Sequence, residues 1–227
     1  EVDFESITKN VSVDIRKGDI HFPNEMNFYI ERAKSCYETI KQKNTCTWIP
    51  SIYFKRTLKQ YLKKDCEKLL QMINLCGDWH PQEDKKLDAL FELIEREHKN
   101  NKIVVFTQFS DTAHYIYEQL KNRDVKKIAC VTGNTKDPTE IVERFSPISN
   151  GRSCKDEDQL NVLIATDVLS EGQNLQDSHI IVNFDLPWAI IRLIQRAGRV
   201  DRIGQKAESI HCYSFFPAEG VENIIRL

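Results

Sequence analysis

Three arginines recur at intervals of three in the segment Gln195-Arg196-Ala197-Gly198-Arg199-Val200-Asp201-Arg202-Ile203-Gly204-Gln205. On a helix, residues three apart share a face. Guanidinium groups set side by side repel one another, and the one nearby acid, Asp201, cannot neutralise all three. An anionic partner relieves that repulsion. Phosphate is the natural one, because the planar fork of arginine matches its oxygens two at a time. An arginine-rich surface helix with internal ion pairs would satisfy the same spacing.

The rest of the chain offers no second half for a phosphate site. A P-loop requires GxxxxGK[ST], yet none of the eight glycines is followed by lysine. No DEAD- or DEAH-like carboxylate pair for magnesium is present. The six histidines form no HExxH, so no metal site is expected. The seven cysteines form no CxxC, and their odd number argues for reduced, unpaired thiols. Cys130 and Cys154 have no histidine beside them in sequence and are poor nucleophile candidates.

The elements that must position the arginines read as alternating strands and helices. Short apolar runs at Ile103–Phe106, Ile128–Val131, Leu160–Ala165, Ile180–Phe184 and Ser209–Phe216 predict five strands. Helices are expected over 83–98, after an Asp111 cap, over Thr139–Phe145 and over about Trp188–Arg199, with an exposed loop at 146–159. Such an order predicts an α/β fold, a mainly parallel sheet with helices on both faces. A helical segment precedes it. Residues 1–80 are expected to be mostly helical, with a short strand near Val11, Val13 and Ile15, and 81–227 to form the α/β domain. Met26, Tyr29, Ile30, Ala33, Tyr37 and Ile40 make one apolar stripe. A second helix is expected from about Ser51 to Cys76, stopped by Gly77. Its cations, Lys55, Arg56, Lys59, Lys63, Lys64 and Lys68, suit either a solvated face or a surface near nucleic-acid phosphates.

The 227 residues can bury a core without staples. The formal net charge of -2 means that any nucleic-acid contact must come from local patches. No apolar run is long enough to span a membrane, and no signal peptide is visible. The start at Glu1 and the apolar end Val221–Leu227 read as a segment of a longer protein.

The segment QRAGRVDRIGQ resembles motif VI of the superfamily-two helicases and translocases. Its Arg-Ile-Gly-Gln ending is similar to the Swi/Snf-type translocases, and the Gly-Arg-Val-Asp-Arg-Ile-Gly-Gln form to their bacterial RapA/HepA-like branch. Residues 103–110, IVVFTQFS, are similar to motif IV, and residues 163–175, LIATDVLSEGQNL, to motif V. Val131-Thr132-Gly133-Asn134 resembles the family's GxT-type turn, and Asn183-Phe184-Asp185-Leu186-Pro187-Trp188 its Asp-x-Pro-Trp link. The resemblance covers about residues 83–227.

The resemblance implies the second RecA-like lobe of an ATP-driven motor, with ATP and Mg2+ held mainly by a first lobe that this chain lacks. Arg199 and Arg202 fall on the arginine-finger positions, and Gln195 and Arg196 on positions that support the cleft. Thr107, Gln108, Ser110, Thr166 and Gly172 are implied nucleic-acid contacts. Asp167, Asn174 and Gln205 are implied residues of the nucleotide cleft. Implied partners are DNA, duplex in preference, the first lobe, and further protein subunits, with no membrane. The implied location is cytoplasmic and nucleoid-associated in a bacterium, or nuclear in a eukaryote. The fragment alone is expected to be inactive. The alternatives are a strand-separating helicase, a restriction or repair motor, and a degenerate lobe that only binds nucleic acid or protein.

Overall fold

The computed structural model describes residues 25–42, 49–170, 174–187 and 189–216. The expected strand near Val11 lies outside them, as do Gly172 and Trp188. The chain divides into two units, Glu1–Glu83 and Asp84–Leu227.

The first unit carries helix α1 (Met26–Gln42) and helix α2 (Leu58–Cys76). The expected second helix is shorter than its apolar spacing suggested. Ser51–Tyr53 forms a separate 3-10 turn, because Phe54 adopts an extended backbone. Gly77 ends α2 at φ 70, and its N–H returns to Ile73 O. That left-handed φ costs glycine nothing. Neither helix has a buried residue, so the apolar stripe of α1 is not a core face in this structure.

The second unit opens on helix α3 (Lys85–Glu92), which Asp84 caps by accepting from the N–H groups of Lys86 and Leu87. The other carboxylate oxygen of Asp84 takes the Tyr115 hydroxyl at 2.9 Å. The helix runs on into a π turn, Leu93–Glu97, and Leu87, Leu90, Leu93 and Ile94 are buried. Strand β1 (Ile103–Thr107) leads to helix α4 (Ser110–Asn122). Asp111 does not cap α4. The helix begins one residue ahead of it, Phe109 occupies the cap position, and Asp111 stands in the first turn. There its charge still suits the helix dipole. Strand β2 (Ile128–Val131) is followed by helix α5 (Pro138–Phe145), which has Asp137 as its cap and proline in its first turn. Strands β3 (Val162–Thr166) and β4 (Ile180–Asn183), helix α6 (Ile190–Ala197) and strand β5 (His211–Ser214) complete the unit.

The five strands form one sheet in the order β2-β3-β1-β4-β5, every pair parallel. Successive side chains point to opposite faces. Ile103, Val105, Ile164 and Val182 therefore meet Leu87, Leu90, Ile116 and Leu120 on one side. Val104, Phe106, Leu163 and Ile181 meet Val142, Phe145, Leu175 and Val200 on the other. Each such side chain contributes roughly 1.5–3 kcal/mol by leaving water.

The expected exposed loop at 146–159 is anchored at its start. Ser146 is buried, and Asp177 accepts the N–H groups of Ile148 and Ser149, both at 2.8 Å. Six cysteines lie among the described residues, and none of them forms a disulfide with another. No helix of the described residues is long and apolar enough to cross a membrane.

Candidate functional site

A parallel sheet collects its loops at the carboxyl ends of its strands, and there the chain gathers several of the expected residues. Thr107 and Thr166 are register partners at the ends of β1 and β3, and both are buried. Asp185, just beyond β4, binds the exit of β1. The Thr107 hydroxyl donates to its Oδ2, and the Gln108 N–H reaches both of its oxygens at 2.9 and 3.0 Å. The Gln108 side chain donates to Leu186 O at 3.2 Å. Ser110 is half-buried as the first residue of α4.

Asp167, the residue after β3, is the acid that receives the α6 arginines. Arg196 Nε donates to its Oδ1 at 2.7 Å and Arg192 Nη1 to its Oδ2 at 3.1 Å. Arg196 is fully buried. Its Nη1 also reaches Asn183 Oδ1 at 3.1 Å and Asp185 O at 3.3 Å, and its guanidinium lies over the Phe106 ring. Asp185 Oδ1 stands 3.8 Å from Nη2. A buried cation persists only when paired and hydrogen-bonded, and Arg196 meets that condition through Nε and Nη1, while its buried Nη2 has no hydrogen-bond partner.

The three arginines do not share a helix face. Helix α6 ends at Ala197, and residues 198–202 turn away from it. A Cβ at Gly198 would stand 3.3 Å from Ile194 O, a tight approach that glycine avoids. Val200 is buried and fixes the turn. Arg196 therefore points inward while Arg199 is half-buried and Arg202 exposed. Arg199 Nε is buried without a hydrogen-bond partner. Arg202 Nη1 donates to Asn174 Oδ1 at 2.6 Å. The Leu175 N–H donates to Arg199 O at 3.2 Å, which ties the segment after β3 to the arginine turn.

Gln205 is placed otherwise than expected. Its side-chain amide faces Gln176 O, Ser178 O and Val200 O at 2.9–3.1 Å, and its Oε1 accepts from Ala207 N. Both amide hydrogens are committed to backbone, so Gln205 fastens the wall of the cleft and has no donor left for a nucleotide. Gln195 lies exposed on α6 beside Ile190, Ile191 and Ile194.

Two residues escaped the sequence reading. Asp185 was visible only as part of a link, and its contacts lie 77 and 78 residues away in sequence. Lys86 sits 4.2 Å from the Phe184 ring centroid. Burial pushes its pKa below the usual lysine value, while Asp185 and Asp84 oppose that shift. Its position in the first turn of a capped helix carried no signal of this. Among the described residues no cluster of three or more His, Cys, Asp or Glu could hold a metal ion.

The RNA polymerase-associated protein RapA of Haemophilus influenzae is 32% identical to this chain over 133 residues, 56% of the chain and 13% of RapA. The probable ATP-dependent RNA helicase Dbp45A of Drosophila melanogaster is 26% identical over 185 residues, 73% of the chain and 33% of that protein. The chain thus spans a third or less of these curated relatives. Among solved structures, the C-terminal part of the Fun30 ATPase domain superposes with a TM-score of 0.53 at 19% identity, covering 73% of this chain and 52% of that one. That likeness, with the all-parallel sheet, establishes a RecA-like α/β fold. Residues 85–204, more than half of the chain, match the family described as helicase conserved C-terminal domain, and the chain therefore belongs to that family.

Proposed function

We propose that this chain is the second lobe of a Swi/Snf-type ATP-dependent motor that moves on DNA, in which Arg199 and Arg202 act as arginine fingers. One observation carries the reading. Arg196 is spent on Asp167 and its neighbours, whereas Arg199 and Arg202 have no carboxylate within ion-pair distance among the described residues. Asn174 orients Arg202 without cancelling its charge. Two cations on one turn, one with an unpartnered buried Nε, fit a phosphate group. ATP would supply the phosphoryl group whose transfer releases the free energy for movement. The chain's own contribution is to hold positive charge where negative charge develops, and to grip nucleic acid at Gln108, Ser110, Thr166 and Gly172; Thr107, expected among these contacts, is fully buried with its hydroxyl given to Asp185 and serves to position that edge. The Mg2+ ligands and the P-loop belong to the first lobe, so the isolated chain turns over no ATP.

The Swi/Snf assignment is supported by the Arg-Ile-Gly-Gln ending and by the RapA relative. The second reading, an RNA-directed helicase, is supported by the Dbp45A relative. Turnover by the full-length protein, measured with duplex DNA, single-stranded DNA and RNA, separates the two. In the same assay Arg202→Ala should lower the rate by about 10³-fold or more with nucleotide binding retained. An unchanged rate would overturn the finger assignment and leave a binding module.

A further inference from the structure

The basic segment of the first unit has no role in the site above. Residues 55–68 hold Lys55, Arg56, Lys59, Lys63, Lys64 and Lys68 against only Asp65 and Glu67, in a chain whose net charge is -2. Four of the lysines lie on α2 in two rows of i, i+4 spacing, Lys59 with Lys63 and Lys64 with Lys68. Within a row the rise is about 6 Å. An ordinary solvated helix intersperses both signs at this spacing and gains from it, whereas like charges at i, i+4 destabilise the helix. Here only Lys63 has a carboxylate, Glu67 at 3.8 Å. Lys55, Arg56, Lys59, Lys64 and Lys68 make no ion pair among the described residues. None of α2 is buried, so every cation is available. Exposed aromatic side chains accompany them, Tyr53 and Phe54 before the helix and Tyr61 within it.

From this we infer that α2 is a docking surface for the phosphate backbone of a nucleic acid, bound without sequence preference. Rows of single-sign charge that no carboxylate neutralises are relieved by a polyanion, and release of its counterions drives the binding. Exposed tyrosines beside such rows suit stacking on unpaired bases. The surface belongs to the first unit and the strand ends to the second. It rests on the proposed function only in taking nucleic acid as the polyanion.

The test is fluorescence anisotropy of the 227-residue chain with a labelled 30-base-pair duplex and with a labelled 30-nucleotide strand, each over a range of salt. The variant carries Lys59→Gln, Lys63→Gln, Lys64→Gln and Lys68→Gln together. Glutamine keeps nearly the helix propensity of lysine, so the fold should be retained, which circular dichroism checks. A control variant removes the same charge elsewhere, through Lys99→Gln, Lys121→Gln, Lys126→Gln and Lys155→Gln, all exposed. We expect the α2 variant to lose about tenfold or more in affinity, and the salt slope to drop by about one for each lysine that touches phosphate. The control should change affinity by less than about threefold on the same logic of local contact. Loss from both probes assigns the contact to the backbone. Loss confined to the single strand adds the tyrosines to it, and both results support the surface. An α2 variant that binds like the wild type, or no worse than the control, overturns it. Arg202→Ala leaves α2 untouched, so failure here and failure of the finger assignment are read in separate assays.

Discussion

Arg202 and Asn174 meet through a single hydrogen bond of 2.6 Å, Nη1 to Oδ1, although they are 28 residues apart in sequence. A neutral acceptor fixes the direction of a guanidinium while leaving its full charge for a ligand. A carboxylate there would take that charge for itself. Asn174→Asp should therefore weaken ATP-dependent turnover of the full-length protein by about tenfold or more, since a charge-assisted contact is worth about 1.5–3 kcal/mol. Asn174→Ala, which frees Arg202 without neutralising it, should cost less. Steady-state kinetics of the two variants check the order. Equal losses would mean that Asn174 acts through shape and not through charge.

Arg196 and Arg192 share the Asp167 carboxylate but not its energetics. Arg196 is fully buried, and removing it takes the arginine from Asp167 Oδ1 and Asn183 Oδ1. Arg196→Met should cost about 3–5 kcal/mol of folding stability. Arg192 is half-exposed, and its pair is screened by water. Arg192→Ala should cost about 1 kcal/mol or less. Urea denaturation of the 227-residue chain measures both. A similar midpoint for the two variants would contradict the buried-keystone reading of Arg196.

Asp185 joins the exit of β1 to the α6 arginine. Its carboxylate receives Thr107 and Gln108 on one side and stands 3.8 Å from Arg196 Nη2 on the other. Asp185→Ala leaves the buried Thr107 hydroxyl and the Gln108 N–H without an acceptor, a loss of about 1–3 kcal/mol for each group left unsatisfied. The expected signature is a larger fall in nucleic-acid-stimulated turnover than in unstimulated turnover. A proportionate fall in both would reduce Asp185 to a stabilising residue.

The strands were legible because a parallel sheet covered on both faces writes continuous apolar runs into the sequence, and β1 and β4 keep nearly the bounds those runs implied. The α5 helix, expected over Thr139–Phe145, runs from Pro138 to Phe145. The arginine turn was legible in composition but not in shape. Spacing of three implies one helix face only while the helix continues, and α6 stops at Ala197. The contacts of Asp185 and Gln205 were hidden for a common reason. Their partners are fixed by the packing of loops across the sheet, which local periodicity does not encode. The exposure of the α1 stripe was equally hidden, because apolar spacing shows that a face suits burial and not how much of it is buried.

Acid sensitivity should come from the start of β4 and β5. His179, His211 and His98 form a chain of rings at centroid separations of 5.8–6.0 Å, with His98 Nε2 2.8 Å from the Tyr213 hydroxyl. Burial holds the His179 pKa below the usual histidine value, and the fields of His211 and His98 push it the same way. The unfolded chain then binds a proton at a pH where folded His179 stays neutral. His179 therefore favours the fold fully above about pH 6.5, and that contribution is lost as the pH falls below it toward the lowered folded value. Thermal melts of the chain between pH 7.5 and 5 should show a falling midpoint, and His179→Gln should flatten the profile in that window. A drop confined to the region below about pH 4.5, where free carboxyl groups ordinarily take up protons, would assign the acid sensitivity to carboxylates and remove the histidine chain from the account.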